Sequence, residues 1–155
     1  MNLISYNLKK HIELLNHQKN VISQGKSFLK ENQAEFLELS QYDAAVDPHI
    51  FWENRFEVTS LIKTFLNQEI IVEEFHDSVF GLYRNHIHKY NKFISKLVSG
   101  EIKEFFPNKE SYKLKGFLSF LYSECEYFEM NRDEETFYNS IRNGFLKFQK
   151  ILNEE

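Results

Sequence analysis

Glu73 and His76 stand three positions apart in the run Val72-Glu73-Glu74-Phe75-His76. On one helix, a Glu-x-x-His pair can ligate iron or manganese through both side chains. A di-metal centre of that kind takes two such pairs and further carboxylates from neighbouring helices. None of the other five histidines has a glutamate three residues before it. The lone pair therefore reads as a boundary histidine behind two acids, and no metal and no cofactor is expected. Cys125 has no histidine at a motif spacing and falls among apolar residues at helical spacing, which describes a buried structural thiol. The sequence carries no Gly-rich phosphate loop and no Ser nucleophile elbow.

Arg84 and His88 form the second pairing. Four positions apart, they share one face of a helix. A guanidinium that holds phosphate beside an imidazole that moves a proton is the logic of RNA cleavage. Arg84-Asn85-His86-Ile87-His88 resembles the Arg-Asn-x-His pattern of the HEPN ribonucleases, which are helical bundles. Three residues separate Arg84 from His88, where that family typically places four to six. The resemblance implies an RNA-cleaving enzyme. The plain alternative is a polar helix face beside Lys89 and Lys92.

A third cluster is acidic. Glu124, Glu126, Glu129, Asp133, Glu134 and Glu135 fall within twelve residues, opposed there only by Arg132. They straddle a turn between two helices and describe either a solvated helix end or a patch for a basic surface. Such a patch speeds encounter and rejects wrong partners more than it adds affinity, so a buried aromatic anchor must supplement it. Tyr127 and Phe128, beside the acids, are the expected anchors.

Overall charge points the same way. The net charge is −4, with seven basic and twelve acidic side chains in residues 1–77 and twelve and eleven in residues 78–155. A protein that tracks phosphates is normally basic, so direct nucleic-acid binding is not expected and a basic protein partner is. No apolar run approaches a membrane span, and the first thirty residues lack the uninterrupted apolar core of a secretory signal. One cysteine allows no internal disulfide, so the expected compartment is reducing and cytoplasmic. Abundant Lys, Asn, Phe and Ile, with three Ala, suggest an AT-rich genome, with an organelle or a plasmid among the origins it would fit.

The elements that must position these residues are helical. Sixteen Phe supply ample core, while two Pro and five Gly leave few turns. The pairs Leu14-Leu15, Val21-Ile22 and Phe28-Leu29 repeat at seven residues, with Leu8 before and Phe36-Leu37 after. This series marks one helical face over one or two helices from about Leu3 to Leu39. Gly25 lies inside it and weakens a helix by about 1 kcal/mol relative to Ala. The face serves either to pack on the rest of the domain or to self-associate through residues 8–37.

After a loop, Asp47-Pro48 reads as an N-cap and first helical residue. A helix is predicted from there to about Asn67, with Phe51, Val58, Leu61, Ile62, Phe65 and Leu66 inward. The next runs from about Val72 to Val98, through Phe75, Val79, Leu82, Tyr83, Ile87, Tyr90, Ile94 and Leu97, and stops at Gly100. Glu73 and Glu74 sit in its first turn, where the helix dipole favours them. After a linker from Gly100 to Lys109, a helix spans about Ser111 to Met130 with Cys125 and Phe128 inward. Asp133 is the candidate cap of a last helix carrying Phe137, Ile141, Phe145, Phe148 and Leu152. The chain is predicted to be all-α and one domain of residues 1–155: an N-terminal helical extension over 1–46 and a core of four helices over 47–155.

Phe65-Leu66-Asn67-Gln68-Glu69-Ile70-Ile71-Val72-Glu73-Glu74-Phe75 resembles the phrase Phe-Leu-x-x-x-Ile-x-x-x-Glu-Phe of the colicin D immunity proteins. The acidic, aromatic segment Leu121–Met130 and then Asp133-Glu134 leading into Ile141-Arg142 is similar too. The resemblance covers about residues 56–152. Ile71 departs from the Ser or Thr that often caps the second helix there. The resemblance implies an antiparallel four-helix bundle, here with an added long N-terminal helical segment. It also implies a function without catalysis, in which an acidic surface fills the basic active-site cleft of a tRNA-cutting toxin. On that reading the partner is a nuclease toxin domain. It would be held by Glu124, Glu126, Tyr127, Phe128, Glu129, Asp133, Glu134 and Glu135.

Overall fold

The computed structural model describes residues 5–108 and 110–153, the side chains of 150–153 excepted. Among the described residues there are seven helices and no strand. They are α1 (Leu8–Ser23), α2 (Phe28–Glu31), α3 (Gln33–Glu53), α4 (Arg55–Leu66), α5 (Val72–Ser99), α6 (Ser111–Asn131) and α7 (Glu134–Asn153). The expected starting point at Leu3 and the inward place of Leu152 lie outside the described residues.

The seven-residue series is used within the chain. Leu14, Val21 and Phe28 are buried with Leu39 and Tyr42 of α3, while Ile22, Leu29 and Leu37 are exposed. α1 ends at Ser23 and the chain turns just beyond it at Gly25, whose φ of +74° puts it in the left-handed region that glycine enters without strain. The Gly25 N–H donates to Ile22 O and the Lys26 N–H to Val21 O, closing the end of the helix. His11 also joins this core, fully buried between the Tyr6 hydroxyl at Nδ1 (2.9 Å) and Asp43 at Nε2 (3.1 Å). Both nitrogens of this buried imidazole thus have hydrogen-bond partners.

The expected helix start at Asp47-Pro48 is corrected: α3 passes straight through Pro48. Proline lacks the N–H that would bond to Ala44 O, four residues back, and an interior proline normally costs about 3 kcal/mol. The Tyr112 hydroxyl of α6 donates to that carbonyl instead, at 2.9 Å. Asp47 is therefore no cap, and its carboxylate turns to His86 (2.7 Å). The helix breaks later, at Asn54, whose Nδ2 donates to Ile50 O (2.6 Å) while its Oδ1 accepts from Lys89 Nζ (2.7 Å).

A larger core draws on α4, α5, α6, α7 and Trp52 near the end of α3. Phe65 and Phe75, from the end of α4 and the start of α5, stack at 4.2 Å and 20°, and Phe137 meets both. Each such buried ring stabilises by about 1.5–3 kcal/mol, and a good ring pair adds about 0.5–1.5 kcal/mol. Ile71 gives α5 no side-chain cap; instead Glu74 Oε2 accepts the Ile71 N–H at 3.2 Å. α5 ends at Gly100 (φ +77°) as expected. α6 and α7 approach closely where Gly144 meets the Phe120 ring, and a Cβ there would overlap it. α3 belongs to both cores: Leu39 and Tyr42 face the N-terminal one and Trp52 the larger one.

Candidate functional site

The acidic turn is built by the ends of α6 and α7. Asp133 caps α7, accepting from the Thr136 N–H (3.0 Å) and the Thr136 hydroxyl (2.7 Å). Those hydrogen bonds hold its carboxyl below the ordinary value. Glu134 and Glu135 occupy the first turn of α7, where the dipole favours them. Glu129 lies in the last turn of α6 and Glu126 one turn earlier, and that last turn carries no basic residue. A carboxylate at a helix C-terminus opposes the dipole. Helix stability therefore accounts for Glu134 and Glu135 but not for Glu129.

Glu126, Glu129, Asp133, Glu134 and Glu135 are exposed, and Glu124 is half-buried. Of the two expected anchors, Tyr127 is 49% exposed, but Phe128 is 2% exposed and packs on Phe137 at 5.0 Å. Phe128 is thus corrected from partner anchor to core residue. The Arg132 guanidinium lies 5.4 Å over its ring. Met130, 76% exposed, stands beside Tyr127 as the apolar surface that the sequence reading missed. Its signal was the helical period: three residues from Tyr127, it shares that residue's outward face.

His76 borders this turn. Its Nε2 lies 3.0 Å from Glu129 Oε1, but the ring N–H is not aimed at the carboxylate, so the contact is one of charge when the imidazole is protonated. Glu73, its sequence partner, is exposed. Among the described residues no group of three or more His, Cys, Asp or Glu is placed to hold a metal ion. Cys125 is fully buried, and burial, with Glu124 and Glu129 adding to it, pushes its thiol up to about 12.

Arg84 and His88 are both exposed on α5, while His86 between them is buried. Ile87, expected inward, is 48% exposed because His86 takes the inner place. The spacing Val79, His86, Tyr90, Leu97 carried that signal: it steps by seven, four and seven residues along one face. His86 lies flat on Phe51 (3.5 Å between centroids, 6°), and its Nε2–H donates to Asp47 Oδ1. Lys115 Nζ approaches the other Asp47 oxygen at 3.5 Å. Burial pushes the Asp47 carboxyl up, but His86 and Lys115 outweigh it and hold the net value below the ordinary one.

Among the described residues no helix is long and apolar enough to cross a membrane. No known protein family, curated protein or solved structure matches this chain.

Proposed function

We propose that this chain is a non-catalytic binding protein that captures a basic partner through the acidic end formed by α6 and α7. Its specific form is that of an immunity protein, which masks the active site of a tRNA-cleaving toxin by presenting carboxylates where RNA phosphates would lie. In this reading α4–α7 are the antiparallel four-helix bundle that the colicin D immunity resemblance implies. α1–α3 are an added N-terminal layer, and the protein works in the cytoplasm. The observation that carries the reading is the set of exposed carboxylates around Tyr127 and Met130, with Glu129 kept against the α6 dipole. Glu124, Glu126, Glu129, Asp133, Glu134 and Glu135 form the charged rim, and Tyr127 and Met130 the apolar centre.

The test is inhibition. tRNA cleavage by the cationic nuclease domain encoded beside this gene should stop at one equivalent of the chain. Glu126→Lys, Glu129→Lys and Glu134→Lys together should restore cleavage while leaving the helical circular dichroism unchanged. Full cleavage in the presence of excess wild-type chain, or the lack of any such neighbouring gene, refutes the immunity form.

A self-associating scaffold is a second reading, favoured by one observation: Ile22, Leu29 and Leu37 remain 57%, 46% and 53% exposed on the N-terminal helices. It is compatible with capture of a partner at the opposite, C-terminal part of the sequence.

A further inference from the structure

A cleft of about 520 Å³ opens among α3, α5 and α6. That is the scale of a small-molecule site, for which an apolar wall and a few polar groups are the usual composition. Rings line it: Phe51 with His86 stacked on it, and Tyr83, Tyr90 and Tyr122. Its charged groups are Asp47 and Lys115.

The polar groups select the ligand. Asp47 already faces two donors, His86 at Oδ1 (2.7 Å) and Lys115 at Oδ2 (3.5 Å). A cationic ligand would have to compete with both. Lys115 is different. Its contact is longer than the roughly 2.7–2.9 Å of a formed charge-assisted hydrogen bond, and its side chain is 47% exposed. The ammonium therefore keeps donors for an incoming anion. His86 is 6% exposed, and its Nδ1 has no hydrogen-bond partner among the described residues. One cation facing one fixed carboxylate favours a single negative charge over two.

We infer that this cleft binds a small aromatic monoanion, its carboxylate toward Lys115 and its ring against the Phe51, Tyr83 and Tyr122 wall. The site takes no residue from the acidic end of α6 and α7, so it stands or falls apart from partner capture.

The test uses two probes of one shape, naphthalene-2-carboxylate and 2-naphthamide, titrated into the full chain at neutral pH and followed by ¹H–¹⁵N spectra. The carboxylate should give saturable shifts centred on residues 83–90 and 115–122, with the amide about tenfold weaker, a difference of about 1.4 kcal/mol. Lys115→Met should bring the carboxylate down to the affinity of the amide. Ser119→Trp, placed at the exposed mouth, should block both probes in a chain whose circular dichroism is unchanged. Equal affinity for the two probes, an unchanged carboxylate affinity in Lys115→Met, shifts centred elsewhere or no saturation would each overturn the assignment.

Discussion

Removing the Tyr112 hydroxyl tests how α3 carries a proline in its interior. Tyr112→Phe keeps the ring and deletes the hydrogen bond to Ala44 O. Pro48 has no N–H to take its place, so the carbonyl loses its partner. The site is partly buried, and an unsatisfied group of this kind costs about 1–3 kcal/mol. Because water reaches part of it, about 1–2 kcal/mol is expected. For a chain of this size that lowers Tm by about 2–8 °C. Pro48→Ala restores an N–H able to bond to Ala44 O, so in that background Tyr112→Phe should cost less than about 0.5 kcal/mol. The assay is a double-mutant cycle by urea unfolding, followed at the helical dichroism band with m held in common. Equal costs of Tyr112→Phe in both backgrounds would refute the exchange of one hydrogen bond for the other.

Further outcomes follow from other sites. Gly144→Ala must displace the Phe120 ring and should cost about 1–3 kcal/mol, read as a fall in the urea midpoint; Phe120→Ala should suppress most of that loss. His49 Nδ1 accepts the Asn108 N–H at 3.1 Å, and burial holds the imidazole below its ordinary 6.5 despite Glu53. A depressed folded value means the stabilisation is present above about pH 6.5 and is lost as pH falls through the folded value. The Asn108 amide should therefore lose hydrogen-exchange protection, corrected for intrinsic rate, between pH 7 and pH 5; constant protection contradicts this. Capture of a basic partner should slow as salt rises, because screening weakens steering, and a salt-independent on-rate would remove the acidic rim from the encounter. Sedimentation should show more than one chain per particle if the N-terminal apolar row associates. Ile22→Glu with Leu29→Glu should then give a monomer, and a monomeric wild type ends that reading.

The ends of α5 and α6 and the Asp133 cap were legible in the sequence because local chemistry decides them. A glycine permits the left-handed stop, a carboxylate caps, and apolar residues repeat along one face. Pro48 misled for the complementary reason. Its local preference for a helix start was overridden by a hydroxyl that reaches Ala44 O from 68 residues along the chain, and no local pattern contains such a partner. The acidic turn was readable as composition, but which aromatic faced outward was not. Phe128 and Tyr127 are neighbours in sequence, and one helical step sends the first into the core and the second to solvent. His86 was hidden by its polarity: placed on an apolar stripe, it needed Asp47 from another helix to make burial tolerable.

Because α3 supplies side chains to both hydrophobic clusters, the molecule offers no natural seam between an early and a late half. A fragment beginning at residue 47 would start in mid-helix, discard the carbonyl that Tyr112 reaches for, and bare the inner surface that α1 covers. Heating should accordingly melt both clusters in one cooperative step.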